Sequence, residues 1–219
     1  MAFCVNVQNK KILIQIRMDK PKIIRACTVP QSLGFVKGML SDLQEEYEVV
    51  LLSSSGPEWK EIRQSYSDVK CIELNMERHI SLVKDIKSLW KMWRTFHKEK
   101  PRMVHSMTPK AGLLCMVAAW MAGVPVRVHT FTGLLFPTTV GLKRKILMAT
   151  DWITCACATY IIPEGEGVKN DLLNNDITKK PIKVLGYGSC RGIDLTQFDK
   201  TSEVMEQAAQ LRKDGICTF

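Results

Sequence analysis

The sequence predicts an α/β fold: a doubly wound parallel sheet between two layers of helices, the three-layer αβα arrangement. Two observations predict it. Short apolar runs of strand length alternate with stretches of helix length along most of the 219 residues, which is the pattern of successive strand, helix, strand units. The hydrophobic content of 46% is sufficient for a well-buried core.

Seven apolar runs are predicted as strands, because each is short and bounded by polar or turn-forming residues. They cover residues 11–16, 47–53, 69–74, 102–107, 124–130, 159–163 and 182–189. The stretch 17–32 is predicted as a long loop that contains Arg17, Lys20, Lys22 and Arg25. These cations either receive a phosphorylated ligand at the carboxyl ends of the strands, where such sheets bind ligands, or face water as charge runs usually do.

Helices are predicted over residues 34–46, 58–66, 80–100, 108–123, 141–158 and 167–176, with one more after residue 200. In the fourth of these, Thr108 suits the capping position and Pro109 the first helical position. Residues 1–200 are expected to form one domain. Residues 201–219 are expected to be a linker helix and, from the strand-like ending ICTF, the start of a missing second domain.

The helix predicted over residues 80–100 has an apolar face, which is expected to be core, and a basic face. The apolar residues are Val83, Ile86, Trp90, Trp93 and Phe96, and the basic residues are Lys84, Lys87, Lys91, Arg94 and Lys98. A second basic cluster, Lys143, Arg144 and Lys145, opens the helix over 141–158. With the net charge of +9, both clusters suit an anionic membrane surface; a solvated helix face is the alternative.

Cysteine spacing and chain hydropathy favour a cytoplasmic location. The eight cysteines include no C-x-x-C pair, so reduced thiols and no metal site are expected. The longest uncharged run, residues 111–126, is shorter than the roughly 18 to 20 residues of a spanning helix, and the N-terminus lacks the features of a signal peptide.

Glycine-rich phosphate-binding motifs are not present in usable form. The stretch GYGSCRG has the wrong spacing for a dinucleotide-binding loop, and the G-x-x-x-x-G-K-[ST] phosphate loop does not occur. The sequence therefore argues against a dinucleotide enzyme and against a nucleoside triphosphatase.

Polar residues gather at the predicted ends of two successive strands. His105 and His129 end these strands, so both are expected at the same edge of the sheet. Thr108, Thr130, Thr132 and Gly133 would share that edge. Hydroxyls and backbone amides together suit a sugar or a phosphate, which needs several donors and acceptors.

Three segments, in order, resemble the signature of family 4 glycosyltransferases of the GT-B type that make bacterial capsule or lipopolysaccharide on an undecaprenyl carrier. The segments are HSMTPKAG, then GVPVRVHTFTG, then IKVLGYGSCRGIDLTQF. The family patterns are approximately H-x-H-T-P-K-A-G, G-V-P-x-x-x-H-T-x-H-G and I-x-V-I-x-N-G-x-x-x-G-V-D-x-x-x-F. Two departures from them matter, because Met107 and Thr132 stand where the family has histidine.

The resemblance implies two Rossmann-like domains facing a cleft. The N-terminal domain holds a lipid-linked sugar acceptor, and the C-terminal domain holds the nucleotide-sugar as substrate, with no further cofactor. This chain would be the acceptor-binding half of a retaining glycosyltransferase, located at the cytoplasmic face of the inner membrane and inactive in transfer as an isolated fragment. The departing phosphate assists the acceptor proton in such enzymes, so positioning matters more than a side-chain base.

The resemblance and the predicted strand edge together nominate site residues. Candidate catalytic residues are His129 and Thr132. Candidate acceptor-binding residues are Arg17, Arg25, His105, Thr108, Lys110, Thr130, Thr132, Gly133 and Glu164. Candidate membrane-surface residues are Lys84, Lys87, Lys91, Arg94, Lys143 and Arg144. Glu164 and Glu166 either bind acceptor hydroxyls or favour the start of the following helix through its dipole.

Two other functions remain open from the sequence. A non-catalytic polyanion-binding α/β domain would explain the charge but not the three segments. Nucleic acid is not an expected partner, because aromatic residues do not alternate with basic ones in a loop. A GT-B-shaped epimerase of a nucleotide-sugar would also need a second domain.

Overall fold

The computed structural model describes residues 20–66, 68–77, 81–189, 192 and 201–213. Within these ranges six strands form one sheet in the order β3-β2-β1-β4-β5-β6, and every neighbouring pair is parallel. The strands are β1 (Lys22–Ala26), β2 (Glu48–Ser53), β3 (Lys70–Glu73), β4 (Met103–Ser106), β5 (Val126–Phe131) and β6 (Tyr160–Pro163). The predicted α/β class with a doubly wound parallel sheet is confirmed.

Helices connect the strands. The α-helices are α1 (Gly34–Lys37), α2 (Leu40–Glu46), α3 (Glu58–Ser65), α4 (Leu82–Glu99), α5 (Pro109–Met121), α6 (Gly141–Cys157), α7 (Glu166–Asn174) and α8 (Ser202–Lys213). Single 3₁₀ turns lie at Pro30–Leu33 and Phe136–Thr138. Pro109 begins α5 as predicted, since its missing N–H has no helical partner at that position.

Two strand predictions are corrected. β1 lies inside the stretch predicted as a loop, and the predicted strand over residues 11–16 falls outside the described residues. Residues 182–189, predicted as the last strand, form no strand. Gly186 and Gly188 have φ values of 56° and 91°, which belong to turns and not to extended backbone.

The sheet separates two hydrophobic clusters, because successive side chains of a strand point to opposite faces. Ile24, Val50 and Leu52 pack with the helices that include α4, α5 and α6. Ile23, Val49 and Leu51 pack with α1, α2 and α3. The helices before β3 therefore cover one face, and α4, α5 and α6 cover the other.

Helix α4 buries only part of the apolar face that its sequence suggested, because Phe96 is in the core and Trp93 packs against it. Val83, Ile86 and Trp90 are each more than half exposed, whereas Ser88, Met92 and Phe96 form the buried stripe. The buried positions are spaced four residues apart, so they lie in one line along the helix. The apolar arc of α4 is wider than the contact with the core, and its outer part faces solvent beside the lysines.

None of the helices in the described ranges is both long and apolar enough to cross a membrane.

Candidate functional site

A cavity of about 340 Å³ lies at the carboxyl ends of the central strands. Strands β1 and β4 are neighbours there although the chain leaves in opposite directions from them, and such a switch point is where open α/β sheets bind ligands. Four residues predicted to bind the acceptor line the cavity, namely Arg25, His105, Thr130 and Glu164. Met39, Met107, Gly188 and Ser189 complete much of its wall.

Arg25 and His105 form the polar floor of this cavity. They are directly paired across β1 and β4, and the Arg25 Nη1 lies 2.6 Å from the His105 Nδ1. Because a guanidinium only donates, Nδ1 accepts and the hydrogen of the neutral ring sits on Nε2. Nε2 then donates to the Thr130 Oγ1 at 2.7 Å. Thr130 retains its own O–H hydrogen for donation.

The histidine in this chain of bonds is held neutral. Burial and, next, the Arg25 charge lower the pKa of His105 well below its usual 6.5. A protonated ring would place a second positive charge and a second donor against the guanidinium. Arg25 therefore supplies the positive charge of the cavity floor, and the neutral imidazole of His105 fixes the direction of its guanidinium.

Two methionine sulfurs lie against the same guanidinium. Arg25 Nη2 is 3.5 Å from the Met107 Sδ and 3.8 Å from the Met39 Sδ. Met107 occupies the position at which the resembling family has a histidine. A thioether is polarisable and uncharged, so this replacement leaves an apolar wall beside Arg25 where a second imidazole would stand.

The end of β6 and the turn at residues 186–189 close the other side of the cavity. The Ser189 N–H donates to the Glu164 carbonyl oxygen at 2.8 Å. A Cβ at Gly188 would come within 2.5 Å of that same oxygen, so only glycine permits this approach. Gly165 is the N-cap of α7 and Glu166 lies in its first turn, where a carboxylate is favoured by the helix dipole.

His129 lies on the opposite face of the sheet from His105. Ser106 pairs with His129 across β4 and β5, which is one residue later than His105, and a shift of one residue reverses the face of a strand. The ring of His129 accepts or donates at 2.8 Å with the Ser106 hydroxyl and meets the edge of Phe131. It is 1% exposed, and burial lowers its pKa to about 3. His129 does not line the cavity.

Thr28, which the sequence analysis did not nominate, organises the start of α5. Its hydroxyl accepts from the Ala111 N–H at 3.2 Å and lies 2.7 Å from the Thr108 hydroxyl. The Thr108 Oγ1 in turn accepts the Thr28 N–H at 2.9 Å. Thr108 occupies the N-cap position but makes no cap bond within its own helix, so the side-chain cap comes from the loop after β1. A correct assignment of β1 would have identified this threonine as a residue at a strand end.

The other nominated residues lie apart from the cavity floor. Lys110 forms an ion pair with Asp85 of α4 at 2.6 Å. The Thr132 hydroxyl donates to the Met107 carbonyl oxygen at 3.1 Å, and Gly133 has a φ of 145°. Arg17 falls outside the described residues.

Not every predicted membrane-surface cation is exposed in the same way. Lys87, Lys91, Arg94 and Lys143 are exposed, and Lys84, also exposed, pairs with Glu77. The Arg94 guanidinium stacks on the Trp90 ring at 4.7 Å. Arg144 is different, because it is partly buried and donates to the Asn175 side chain at 2.9 Å.

A six-stranded Rossmann-type sheet with a cavity at its switch point that is lined by Arg25, His105 and Glu164 is typical of a ligand-binding α/β domain. Comparison with known families makes the assignment specific. Residues 35–188 match the Glycosyl transferase 4-like domain family, and the chain belongs to this family.

Two curated relatives share extended sequence similarity. A capsular polysaccharide biosynthesis glycosyltransferase, CapM, of Staphylococcus aureus is 36% identical over 192 residues, which are 87% of this chain and 50% of the relative. A UDP-Gal:alpha-D-GlcNAc-diphosphoundecaprenol alpha-1,3-galactosyltransferase of Escherichia coli is 40% identical over 125 residues, which are 55% of this chain and 31% of the relative. The chain thus spans half or less of the length of each.

Solved structures with the same fold include both transferases and epimerases. A glycosyltransferase from Rickettsia africae has a TM-score of 0.58 at 18% identity, with 91% of this chain and 51% of that chain covered. A UDP-N-acetylglucosamine 2-epimerase from Rickettsia bellii has a TM-score of 0.59 at 14% identity, with 86% and 51% covered. At such identities the likeness shows the GT-B type of fold and nothing about the reaction, so the epimerase neighbours give the epimerase alternative little support.

Proposed function

We propose that this chain is the acceptor-binding half of a retaining glycosyltransferase, which moves a sugar from a nucleotide-sugar to a lipid-linked saccharide in capsule or exopolysaccharide synthesis. One observation carries the proposal: the switch-point cavity presents the Arg25 guanidinium, the Thr130 hydroxyl and the Glu164 residue together. The name of the Escherichia coli relative includes a diphosphate-linked acceptor, and a guanidinium binds phosphate oxygens through paired hydrogen bonds, as it binds carboxylates.

In this proposal each cavity group has a separate task. Arg25 binds a diphosphate oxygen of the acceptor, and neutral His105 fixes the direction of the guanidinium. The Thr130 O–H donates to a second oxygen. The Glu164 carboxylate, on the opposite wall, accepts from sugar hydroxyls. Because His105 is uncharged, Arg25 is the cation of the cavity floor that attracts the diphosphate. Hydrogen bonds then position the sugar end of the acceptor.

The transfer step needs no base from this half. The acceptor hydroxyl oxygen forms a bond to the anomeric carbon, and the bond from that carbon to the nucleotide diphosphate breaks. The departing phosphate takes the hydroxyl proton, so charge and atoms balance. His129 is sealed beneath α5, and threonine is not a base at neutral pH; we therefore assign neither His129 nor Thr132 a proton-transfer role.

The remaining parts of the proposal concern the whole enzyme. Residues 1–200 form the acceptor domain, and α8 in residues 201–219 is the linker to a domain that binds the nucleotide-sugar. The lysines of α4 contact the cytoplasmic face of the membrane, where a lipid-linked acceptor resides. Surface lysines near anionic lipid each contribute about 1 kcal/mol.

The test is a calorimetric titration of the chain with a water-soluble, short-chain analogue of GlcNAc-diphosphate-lipid. We expect saturable binding that Arg25→Gln weakens about tenfold or more, since a charge-assisted contact to an anion is lost. Arg63→Gln is the matched control, because Arg63 is exposed and pairs with Glu73 on the surface. Equal affinity in wild type and a folded Arg25→Gln variant, or binding of GlcNAc without the diphosphate equally well, contradicts the proposal.

A further inference from the structure

The turn over residues 186–189, which opens the stretch GYGSCRG, carries a tyrosine that the proposed function does not use. Gly186, Gly188 and Ser189 have φ values of 56°, 91° and 63°, so three of the four residues lie in the left-handed region. That conformation is uncommon for a serine, and backbone held in it is concentrated at functional sites. Tyr187 is the one large side chain that this turn presents.

Two hydrogen bonds and one close approach hold the turn in place. The Gly188 N–H donates to the Leu185 carbonyl oxygen at 3.0 Å, and the Ser189 N–H donates to the Glu164 carbonyl oxygen at 2.8 Å. The close approach is that of Gly188 to the same Glu164 oxygen, where a Cβ would come within 2.5 Å. The backbone that carries Tyr187 is therefore fixed relative to the backbone that carries Glu164.

Tyr187 is fully exposed, although its neighbours line the cavity. Leu185, Gly188 and Ser189 all belong to the cavity wall, so the backbone of Tyr187 lies at the rim. A tyrosine ring offers large apolar faces, and only two side-chain torsions must be fixed to place it over a ligand. Leu185, which is 59% exposed, extends the apolar surface from the wall to the rim.

The groups at this rim have the chemistry that recognises a sugar ring. A pyranose has apolar C–H groups on its faces and hydroxyls along its edge, so an aromatic face packs on the first and a carboxylate accepts from the second. Tyr187 and Glu164 supply this pair from two segments that the Ser189 bond joins. In the proposed function Arg25 holds the acceptor diphosphate on the cavity floor, which places the sugar linked to that diphosphate nearer the rim.

We propose that Tyr187 is a specificity-determining residue, whose ring stacks on the first sugar of the diphosphate-linked acceptor while Glu164 accepts from hydroxyls of the same sugar. The inference rests on the proposed function, because the diphosphate contact brings the sugar to the rim. Arg25 alone would bind a lipid diphosphate with or without a sugar. Stacking on Tyr187 favours the glycosylated form, so the bare lipid diphosphate is bound less tightly.

The test is a calorimetric titration of the chain with two probes, the short-chain GlcNAc-diphosphate-lipid analogue and the same lipid diphosphate without the sugar. Tyr187→Ala is expected to weaken binding of the first probe about three- to tenfold, because the stacking contact is lost, and to leave binding of the second unchanged. Tyr187→Phe keeps the ring and is expected to bind both probes as wild type.

Tyr160→Ala is the matched control. Tyr160 is also more than half exposed, but it begins β6 and so lies at the edge of the sheet opposite the cavity. This variant is expected to bind both probes as wild type.

Three results would overturn the stacking contact. They are equal affinity of the wild-type chain for the two probes, equal weakening of both probes by Tyr187→Ala, and a Tyr187→Phe variant that binds the sugar-bearing probe as weakly as Tyr187→Ala does. The last would show that the hydroxyl, and not the ring, makes the contact. A different result isolates the proposed function: if Arg25→Gln leaves both affinities unchanged while Tyr187→Ala weakens only the sugar-bearing probe, the diphosphate contact alone is contradicted.

Discussion

The ring of His129 lies directly against the backbone of Gly112, where strand β5 passes beneath the first turn of α5. A Cβ built on Gly112 would meet the His129 Cε1 in a clash and would lie 2.9 Å from both ring nitrogens. The Gly112 N–H also donates to the Thr108 carbonyl oxygen in the first turn of α5. Gly112 is therefore required by close approach and not by an unusual φ.

Gly112→Ala is expected to destabilise the chain by about 1–3 kcal/mol, as overpacking of a filled interior does. Urea denaturation measures the free energy of unfolding. Gly167→Ala is the matched control, because Gly167 lies in α7 with open space around its Cα, and it is expected to stabilise by about 0.4–1 kcal/mol. A Gly112→Ala variant as stable as wild type would show that His129 moves aside freely.

The pH dependence of stability should show the buried histidines. In the unfolded chain a histidine titrates near its usual value of about 6.5, whereas burial lowers the pKa of His129 to about 3. Between these values the unfolded state binds more protons, so the free energy of unfolding falls as pH falls, by up to about 1.4 kcal/mol per pH unit for each such group. His129→Gln is expected to reduce this slope between pH 6.5 and 5, and an unchanged slope would contradict the burial.

Asp151 is expected to act in the opposite direction. Burial raises its pKa to about 7, so the native state binds more protons than the unfolded state between about pH 4 and 7. Stability contributed by the neutral carboxyl is present at low pH and lost as pH rises to 7. Asp151→Asn should therefore stabilise the chain increasingly over this range, whereas Asp42→Asn on the exposed side of α2 controls for loss of one carboxylate. An Asp151→Asn variant less stable than wild type at pH 8 would reverse the assignment.

Thr28→Val is expected to cost about 1 kcal/mol of stability, because α5 loses the side-chain cap at Ala111. Thr108→Val removes the other partner of the same pair. In a double-mutant cycle the two losses should couple by about 0.5 kcal/mol or more, since the hydroxyls are in contact. Strictly additive effects would indicate that the two threonines act on α5 independently.

The sequence was sufficient for the class of fold because parallel strands buried on both faces are continuous apolar runs. It failed at β1, whose five residues include Lys22 and Arg25. Lys22 is neutralised by Glu48 and Glu99, which lie far away in the chain. A cation in a strand looks like a loop until its distant partners are known.

The cavity was predicted only in part, because the pairing of strands that are distant in the chain is also not visible in the sequence. The sequence placed His105 and His129 at the ends of neighbouring strands, but His129 lies inside β5. The register, with Ser106 opposite His129, assigns the two histidines to different faces of the sheet. The core stripe of α4 was misplaced because Val83, Ile86 and Trp90 are as apolar as buried residues. Apolarity alone does not distinguish a side chain that packs in the core from one that lies on the surface.

The central position of β1 has a consequence for the order of folding. Its neighbour β4 is distant in the chain, and the Arg25 to His105 bond joins residues 80 positions apart. The pairing of β1 with β4, which is the seam between the two halves of the sheet, therefore forms slowly, because closing a long loop costs conformational entropy. β1, β2 and β3 can assemble on their own cluster before the seam closes. The cavity draws Arg25 from one side of the seam and His105 from the other, so it exists only once the two halves have joined. A ligand that binds there should slow the separation of the halves, and amide exchange along β1 and β4 should fall together as the ligand is added.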